Sequence, residues 1–444
     1  MPLFGTDGIR GVANEVLDPE LTIKLGQTLQ YFTEIGDTVL IGVDTRNSGS
    51  MLAYSLASGI SSVGRNALFA GVIPTPAIPI LMEEFSAKVG VIISASHNYA
   101  EDNGIKFFNS SGFKFSPSSE HLIEEGVHNT DQLESVSWKD IGDIDEVSDA
   151  GKAYLDVLKN RFNGGPPGLD GTQIGLDCAH GATYEVAPKF FSELGAEVTS
   201  IGVDPDGKNI NKSCGSTSLG RLRDLVTERD LDVGVAFDGD GDRVLLVDEY
   251  GRTVDGDRIL YITASWLQDQ DRLNPPIVVS TVMSNMGLEQ ALGAYGINLL
   301  RTQVGDKHVA KEMETNNAIV GGEQSGHIIF SEVNTTGDGL VTALKVLRVM
   351  QETGACLSEL SSQMKRYPQV LRNVATEDKE KFSRDGYLQE KIDEWESRLG
   401  DSGRILVRPS GTQDLIRVMV EADSEDKAST VADNLVDLIA EELS

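Results

Sequence analysis

The sequence is poor in cysteine, in aromatic residues and in positive charge, and it has no long apolar run. Its three cysteines, Cys178, Cys214 and Cys356, are far apart and odd in number. Such a set predicts neither a disulfide framework nor a zinc site, and it favours a reducing cytoplasm. No run approaches the roughly eighteen apolar residues that span a bilayer. The segment Met1 to Thr6 also lacks the basic and apolar regions of a secretory signal, so we expect neither a membrane span nor a secreted precursor.

Positive charge is scarce because 69 acidic residues face 38 lysines and arginines, which gives a formal net charge of -31. This balance argues against nucleic acid or an anionic membrane as a partner. An anionic substrate would need a site that concentrates basic groups locally. The 444 residues, 40% of them hydrophobic, are enough for three or four globular domains at about 100 to 200 residues each.

The most informative stretch is a serine-rich turn between two predicted strands. Val89 to Ile93 is a β-branched apolar run that predicts a buried strand, and Gly104 to Phe108 predicts a second one. The turn carries Ser96 and His97, and Lys106 lies on the second strand. A serine exposed at a rigid strand end is placed for covalent chemistry. An ordinary hydrogen-bonded turn of Ser and Asn residues is the alternative.

The first part of the chain alternates between strand and helix patterns. Thr38 to Val43 and Ala67 to Val72 are predicted strands with a helix between them, which predicts an α/β domain with a largely parallel sheet. Such sheets bind ligands at the carboxyl ends of their strands, where residues 44–48 and 94–98 fall. In the glycine-rich start of the chain, Arg10 could hold a phosphate with two hydrogen bonds, or it could be a surface arginine on a structural turn.

A second signal is an acidic loop after the predicted strand that ends at residue 237. Asp238, Asp240 and Asp242 alternate with glycines, so the backbone can curl and bring three carboxylates to one hard cation. A calcium EF-hand would fit these residues and Glu249 as well. It fails because Arg243 occupies the position of the required glycine and the flanks are strand-like rather than helical. We therefore predict a magnesium site between two strands, with Arg243 available for a metal-bound phosphate.

The third polar segment contains Glu323, Ser325 and His327. These residues alternate, so an extended backbone would point all three side chains the same way. A carboxylate, a hydroxyl and an imidazole on one face suit the hydroxyls of a sugar. A solvated strand face is an equal alternative from these residues alone.

The fourth polar segment is a strand, loop and strand between residues 404 and 421. Ser410, Gly411 and Thr412 offer amides and hydroxyls for a phosphate, and Arg408 and Arg417 supply positive charge. A hairpin with surface arginines is the alternative.

Glycine- and proline-rich breaks at residues 163–168 and 271–276 help to divide the chain. We predict four units: residues 1–150 with the Ser96 turn, 151–252 with the acidic loop, 253–365 with the Glu323 segment, and 366–444 with the last hairpin.

Four loops in this order, Ser-Ala-Ser-His-Asn, Asp-Gly-Asp-Gly-Asp-Arg, Gly-Glu-Gln-Ser-Gly-His and Arg-Pro-Ser-Gly-Thr, resemble those of the α-D-phosphohexomutase family. The resemblance runs from Phe4 to Glu421. It implies a heart-shaped molecule in which three similar α/β domains and a smaller α+β C-terminal domain surround a central cleft, each donating one loop. It also implies that Ser96 is a phosphoserine and that Asp238, Asp240 and Asp242 hold Mg²⁺ together with an oxygen of that phosphoserine.

The same resemblance assigns the remaining site residues. Glu323 and Ser325 would contact the sugar, and Arg10, His97, Lys106 and His327 would lie close to the transferring phosphoryl group. The distal phosphate of the substrate would be bound by the fourth loop and its strands, at Arg408, Ser410, Gly411, Thr412 and Arg417. Lys106 and His327 are both candidates for the general acid/base.

The activity implied is interconversion of hexosamine 6- and 1-phosphates through a hexose 1,6-bisphosphate, which also serves as activator. Gln324 resembles the residue of members that act on glucosamine phosphates, whereas a phosphomannomutase or phosphoglucomutase is the alternative. A non-catalytic phosphosugar-binding protein would be expected to lack Ser96 or a metal aspartate. Departures from the family pattern are Tyr99, His180 and the pair Gln413-Asp414, the last of which lies in the phosphate loop. The small phosphosugar is the expected partner, and the oligomeric state is open, with a homodimer among the options.

Overall fold

A computed structural model describes residues 3–5, 7–129, 133–162, 164–376, 379–384, 386–410 and 414–443. The described residues form four β-sheets, each with helices packed against it. No helix among them is both long and apolar enough to cross a membrane. The predicted fold class, three α/β units followed by a smaller α+β unit, is confirmed.

The first sheet has seven strands in the order β1-β2-β6-β5-β3-β4-β7. The elements of this unit are β1 (Phe4–Gly5), β2 (Gly8–Val12), α1 (Pro19–Thr28), β3 (Thr38–Val43), α2 (Gly49–Ser62), β4 (Asn66–Val72), α3 (Ala77–Glu84), β5 (Val89–Ile93), β6 (Asp102–Phe108), α4 (Pro117–His128) and β7 (Ile144–Glu146). β5, β3, β4 and β7 are parallel, whereas β1, β2, β6 and β5 pair antiparallel. The expected largely parallel sheet is therefore mixed. The segment between β5 and β6 is too short for a parallel crossover, which needs about a dozen residues or more.

Helices cover both faces of this sheet, which explains why β3 and β5 are almost wholly buried and read as continuous apolar runs. α1 and α2 pack closely because each contributes a glycine at the crossing. A Cβ at Gly26 would lie 2.3 Å from Leu56 O, and one at Gly59 would lie 2.1 Å from Ile23 O. The rigid sheet fixes the carboxyl end of β5, where the Ser96 turn begins.

The second sheet has the order β12-β11-β10-β8-β9. Its unit contains α5 (Ala150–Arg161), β8 (Gln173–Asp177), α6 (Val186–Glu193), β9 (Glu197–Ile201), α7 (Gly220–Arg229), β10 (Val233–Phe237), β11 (Val244–Asp248) and β12 (Thr253–Val254). β10 and β11 form an antiparallel hairpin that encloses the acidic loop. The strand flanks predicted for this loop are confirmed, so it is not an EF-hand.

The third sheet has the order β14-β13-β15-β16, with β16 antiparallel to β15. Its unit contains α8 (Gly256–Asp269), β13 (Ile277–Thr281), α9 (Met286–Ala294), β14 (Asn298–Thr302), α10 (Asp306–Asn316), β15 (Val320–Gly322), β16 (Ile328–Phe330), α11 (Gly339–Thr353) and α12 (Leu357–Ser362). One apolar cluster extends through the first three units, from Leu40 through Ile174 to Leu340. Shared apolar packing therefore joins these units.

The C-terminal sheet is antiparallel in the order β17-β19-β18. Its elements are β17 (Gln369–Ala375), α13 (Lys379–Arg384), α14 (Gly386–Leu399), β18 (Gly403–Pro409), β19 (Leu415–Ala422) and α15 (Glu425–Leu443). An apolar cluster made from residues between 370 and 443 lies under it. Short 3-10 helices occur at 29–31 and 400–402.

Candidate active site

Ser96 lies in the turn after β5, with its backbone in the left-handed region at φ +53°. One arginine holds this turn. The Arg46 guanidinium donates hydrogen bonds to the carbonyl oxygens of Ser96 at 3.0 Å, Asn98 at 2.9 Å, Asp102 at 3.0 Å and Tyr99. Left-handed backbone at a non-glycine residue costs about 1–3 kcal/mol and persists only where the surroundings enforce it. Arg46 supplies that enforcement.

Other buried groups support the same turn. Arg46 Nε is 2.9 Å from Asp44 Oδ2, and both side chains are fully buried. Asn211 Nδ2 donates to the carbonyl oxygens of Ser96 and Asn98, each at 2.9 Å. Because Asn211 comes from the second unit, the position of the turn depends on two domains.

The Ser96 hydroxyl points at the acidic loop. Ser96 Oγ donates to Asp238 Oδ2 at 2.6 Å and lies 3.3 Å from His97 Nδ1. Burial, followed by the charges of Asp242 and Asp240, raises the pKa of Asp238 well above its ordinary value. The buried hydroxyl thus contacts Asp238, one of the three carboxylates beside which the family resemblance places Ser96.

The three aspartates converge. Asp238, Asp240 and Asp242 are buried, and one oxygen from each lies within 4.8 Å of the others. Asp240 Oδ1 and Asp242 Oδ1 are buried without a hydrogen-bond partner among the described residues. Unsatisfied buried carboxylate oxygens are costly, and an all-oxygen donor set is what Mg²⁺ prefers. The residues present therefore fit a magnesium ion.

Lys106 is the main positive charge facing these carboxylates. Its Nζ lies 3.0 Å from Asp240 Oδ2, 3.1 Å from Asp7 Oδ2 and 3.7 Å from Asp242 Oδ2, in a side chain that is 2% exposed. Burial lowers the pKa of Lys106, but the three carboxylates outweigh it and raise that pKa above its ordinary value. These carboxylates therefore favour the charged form of Lys106. Thr75 Oγ1 also donates to Asp240 Oδ2, at 2.6 Å.

Two arginines border the cluster. Arg243 Nη1 lies 3.2 Å from His97 Nδ1, and Arg10 Nη2 lies 2.8 Å from Asp7 Oδ2. Burial, and then the charge of Arg243, lowers the pKa of His97, which favours the neutral imidazole. Asp7 therefore links the N-terminal loop to Lys106, so that Arg10 and Lys106 share one carboxylate.

The segment with Glu323, Ser325 and His327 is a turn, so the expectation of an extended strand face is wrong. Gly326 has φ +94° and its N–H donates to Glu323 O at 2.9 Å, which reverses the chain. Ser325 is therefore exposed, whereas His327 points inward with 2% of its side chain exposed. Glu323 Oε1 accepts a hydrogen bond from Gly305 N–H at 3.1 Å.

Both nitrogens of the His327 ring face protein groups. Nε2 accepts a hydrogen bond from Gly337 N–H at 3.1 Å, and Nδ1 lies 3.6 Å from Asp242 Oδ2. Burial lowers the pKa of His327, but the nearby Asp242 carboxylate outweighs it and raises the pKa. Burial raises the pKa of Asp242, but the positive charge of Lys106 and the contact with His327 outweigh it and hold that pKa well below its ordinary value.

Of the predicted phosphate residues, Arg408, Ser410 and Arg417 are described, and they lie on or beside the strands of the C-terminal hairpin. Arg408 on β18 is directly opposite Arg417 on β19, and burial together with Arg417 lowers the pKa of Arg408. Like charges directly opposite on neighbouring strands are unfavourable unless an anion lies between them. Ser410 N–H donates to Leu415 O at 2.8 Å. The predicted Gly411 and Thr412, with the neighbouring residue 413, lie outside the described residues.

Several residues of the site were not predicted from the sequence. Arg46, Thr75 and Asn211 have no motif of their own, although residues 44–48 were expected at a ligand-binding edge. Asp7 and Asp306 form another unpredicted pair, joined through Lys114, whose Nζ lies 2.5 Å from Asp7 Oδ1 and also contacts Asp306. The sequence feature that pointed to these residues was their position in loops near strand ends. That position alone does not distinguish a site residue from a polar residue on the surface.

The sequence matches models of all four domains of one family, phosphoglucomutase/phosphomannomutase. Domain I matches residues 1–134, domain II 152–251, domain III 255–367 and the C-terminal domain 371–438. The chain belongs to this family and is a phosphohexomutase, an isomerase that moves a phosphoryl group within a hexose phosphate. The resemblance carried by the four loops is thereby confirmed.

Individual proteins of known name or structure are similar to this chain over nearly its whole length. The phosphoglucosamine mutase of Shouchella clausii (strain KSM-K16) is 46% identical over 443 residues, which is 99% of both chains. A solved phosphoglucomutase/phosphomannomutase family protein from Burkholderia thailandensis has a TM-score of 0.84 at 21% identity, covering 99% of this chain and 97% of its own. N-acetylphosphoglucosamine mutase of Aspergillus fumigatus, solved with GlcNAc-6P and magnesium, has a TM-score of 0.71 at 18% identity, covering 100% and 96%. At these identities the two structures share the fold.

Proposed function

We propose that this enzyme interconverts glucosamine 6-phosphate and glucosamine 1-phosphate through phospho-Ser96 and a 1,6-bisphosphate intermediate. The observation that carries the proposal is the contact of 2.6 Å between Ser96 Oγ and Asp238 Oδ2 inside a cluster of three buried carboxylates. The full-length similarity to the phosphoglucosamine mutase of Shouchella clausii supports the choice of substrate.

In the first half of the reaction, the bond between phosphorus and Ser96 Oγ breaks as a bond forms between phosphorus and the free sugar hydroxyl. The hydroxyl proton leaves to a base, and the product is the 1,6-bisphosphate. After the intermediate turns end over end, the bond between phosphorus and the sugar oxygen at the other position breaks as phosphorus bonds to Ser96 Oγ. That sugar oxygen takes the proton back from the base and becomes a free hydroxyl. Lys106, Arg10 and Arg243 supply positive charge for a phosphoryl group whose charge is spread over its oxygens, and this stabilisation accounts for most phosphoryl-transfer catalysis.

Asp238, Asp240 and Asp242 would hold Mg²⁺, with an oxygen of phospho-Ser96 as a further ligand, and the bound ion would withdraw charge from the serine oxygen. The two orphaned carboxylate oxygens support this assignment. A hexose 1,6-bisphosphate would serve as activator because it phosphorylates Ser96 in any enzyme molecule that has lost its phosphoryl group.

Substrate contacts are divided between two loops in this proposal. Glu323 and Ser325 bind hydroxyls near the middle of the sugar, and the hairpin with Arg408, Ser410 and Arg417 binds the phosphate that is not reacting. The facing arginines support the second assignment, to which Gly411 and Thr412 also belong. A site that binds hydroxyls near the middle of the sugar and one distal phosphate can accept the intermediate in both orientations.

Two residues remain candidates for the base, and two variants separate them. Lys106→Met removes a charge that contacts three carboxylates, whereas His327→Gln keeps an acceptor for the Gly337 N–H. The variant that abolishes one limb of the pH profile of kcat identifies the base. A uniform loss at every pH assigns that residue to charge stabilisation or orientation.

The substrate assignment is tested by kcat/KM with Mg²⁺ and catalytic hexose 1,6-bisphosphate on glucosamine, glucose and mannose phosphates, at low and at high salt. Preference for the amino sugar supports the proposal. Equal or better rates on glucose or mannose phosphates would favour the second candidate, a phosphomannomutase or phosphoglucomutase with the same mechanism, which the family description also covers.

The proposal places the enzyme in the cytoplasm, supported by three free cysteines of which Cys178 and Cys214 are buried. We propose a homodimer as the assembly. Light scattering coupled to size-exclusion chromatography, which gives the molar mass in solution, tests this.

A further inference from the structure

A buried set of polar residues connects the turn at 323–327 to the C-terminal sheet. Gln324 Nε2 and the N–H of Asn285 both donate to Asp257 Oδ2 at 2.9 Å. Asn285 Nδ2 then donates to Glu421 Oε1 at 3.1 Å, on β19. We call these four residues, Gln324, Asp257, Asn285 and Glu421, the junction chain. It starts beside the two proposed sugar contacts and ends on the strand that carries Arg417.

The middle and the far end of the junction chain are fully buried and are bonded on several sides. Asn285 Nδ2 also donates to Tyr367 O at 2.9 Å, and Asn285 Oδ1 accepts from Tyr367 N–H at 3.0 Å. Glu421 Oε2 accepts from Met286 N–H at 3.0 Å and lies 3.1 Å from Arg404 Nε. A missing link leaves a buried polar group without its partner, so such a network is stable in one arrangement and costly when partly broken.

The junction chain matters because the apolar cluster beneath the C-terminal sheet is built from that unit's own residues. The cluster of the first three units, by contrast, is shared among them. The place of the C-terminal sheet relative to the 323–327 turn therefore depends on polar contacts such as that between Asn285 and Glu421. Since Glu421 and Arg417 lie on the same strand, β19, a shift at Glu421 moves the proposed phosphate site with it.

The direction of the Gln324 side chain is the decisive detail. Its amide donates to Asp257, and its backbone carbonyl accepts from Gly256 N–H at 3.0 Å, so the residue is fixed against the start of α8. A Cβ at Gly256 would lie 2.0 Å from Glu323 O, which shows how closely α8 and the turn approach. Gln324 thus faces the domain junction rather than standing free for a sugar.

We propose that Asp257 and Asn285 are positioning residues that couple the sugar-binding turn to the phosphate-binding C-terminal unit, and that Gln324 affects substrate choice through them. This inference rests on the proposed function. Its consequence is that sugar contacts and distal-phosphate contacts form and are released together. A concerted release suits a bisphosphate that must free both ends before it can turn.

The test is a double-mutant cycle on the full chain with glucosamine 6-phosphate, Mg²⁺ and bisphosphate. Gln324→Leu and Asn285→Ala should each raise KM about tenfold, with a smaller change in kcat, and the double variant should raise KM no further than the larger single effect. Asp257→Asn keeps the acceptor oxygen and should retain the KM of the wild type, whereas Asp257→Leu should behave like Asn285→Ala. Gln290→Ala is the matched control. Gln290 Nε2 reaches Asp401 O of the C-terminal unit at 3.2 Å and its Oε1 accepts from the Tyr367 hydroxyl at 2.8 Å, so this variant removes contacts across the junction without removing a bond to Asp257 or Glu421.

Single effects that multiply to about a hundredfold in the double variant would overturn the coupling, as would an unchanged KM in Gln324→Leu. A second measurement does not depend on turnover. Without any ligand, Gln324→Leu should speed hydrogen exchange at the Met286 amide, which is bonded to Glu421, and Gln290→Ala should not. A wild type inactive on every hexose phosphate would refute the proposed function and leave this exchange test intact, whereas an unchanged exchange rate would refute the junction chain.

Discussion

Arg46 offers a demanding test of the site, because it holds the Ser96 turn without touching the reacting atoms. Arg46→Lys keeps the charge but cannot reach four carbonyl oxygens and Asp44 with one ammonium group. Weakening a buried ion pair costs up to about 3–5 kcal/mol when one partner is lost. The left-handed strain at Ser96, about 1–3 kcal/mol, is then no longer offset and the turn relaxes.

A displacement of Ser96 Oγ, the proposed nucleophile, by about 1 Å can reduce the rate roughly a hundredfold. We therefore expect Arg46→Lys to lose about that factor in kcat at a temperature well below its Tm, with a small change in KM. The assay is steady-state turnover, with thermal unfolding measured in parallel.

The matched control is Arg65→Lys. Arg65 lies in the same unit and also donates to carbonyl oxygens, including Thr33 O at 2.7 Å, but it contacts no residue of the Ser96 turn. The Arg65→Lys variant should have a lower Tm than the wild type and an unchanged kcat. Wild-type kcat in Arg46→Lys, or an equal loss of kcat in both variants, would refute the argument that Arg46 positions Ser96.

Three further predictions concern charge. At a concentration a hundred times its Kd, Mg²⁺ should raise the free energy of unfolding of the wild type in urea by about 2.7 kcal/mol. Most of this increase should be absent in Asp240→Asn; an equal increase in both proteins would show that the aspartates do not bind the ion. Burial raises the pKa of Asp257 to about 7, so the folded protein holds this proton more tightly than the unfolded chain. The wild type should therefore lose stability relative to Asp257→Asn as pH rises from about 4 to 7, by up to about 4 kcal/mol; a difference that does not depend on pH would contradict this. Arg417→Met should raise KM at least tenfold with little loss of Tm, because Arg408 no longer faces a like charge; an unchanged KM would place the distal phosphate elsewhere.

The sequence was sufficient for the features that depend on local pattern. The apolar run of β5 followed by Ser96, and the acidic loop between two strands, follow from residue type and spacing, and the order of the four loops identified the family. The elements missed depend on contacts between distant parts of the chain. Arg46 looks like any polar residue at a strand end until the 96–102 segment folds over it, and Asn211 reaches Ser96 from another unit.

The error at His327 has a physical origin. Alternating polar residues predict a common face only if the backbone is extended, and the left-handed φ at Gly326 turns the chain instead. Glycine allows that conformation but does not require it, so the pattern alone could not decide. The error about the first sheet has a similar origin. Alternating strand and helix patterns generally predict parallel strands, but the short connection between β5 and β6 requires these two strands to be antiparallel.

The central claim is that Ser96 carries the phosphoryl group, and the most direct measurement is mass spectrometry of the intact protein and its peptides after incubation with hexose 1,6-bisphosphate. We predict one added phosphoryl group, located on Ser96, that disappears when glucosamine 6-phosphate is added and appears in the bisphosphate formed. A phosphoryl group on another residue, or a Ser96→Ala variant with undiminished turnover, would contradict the account.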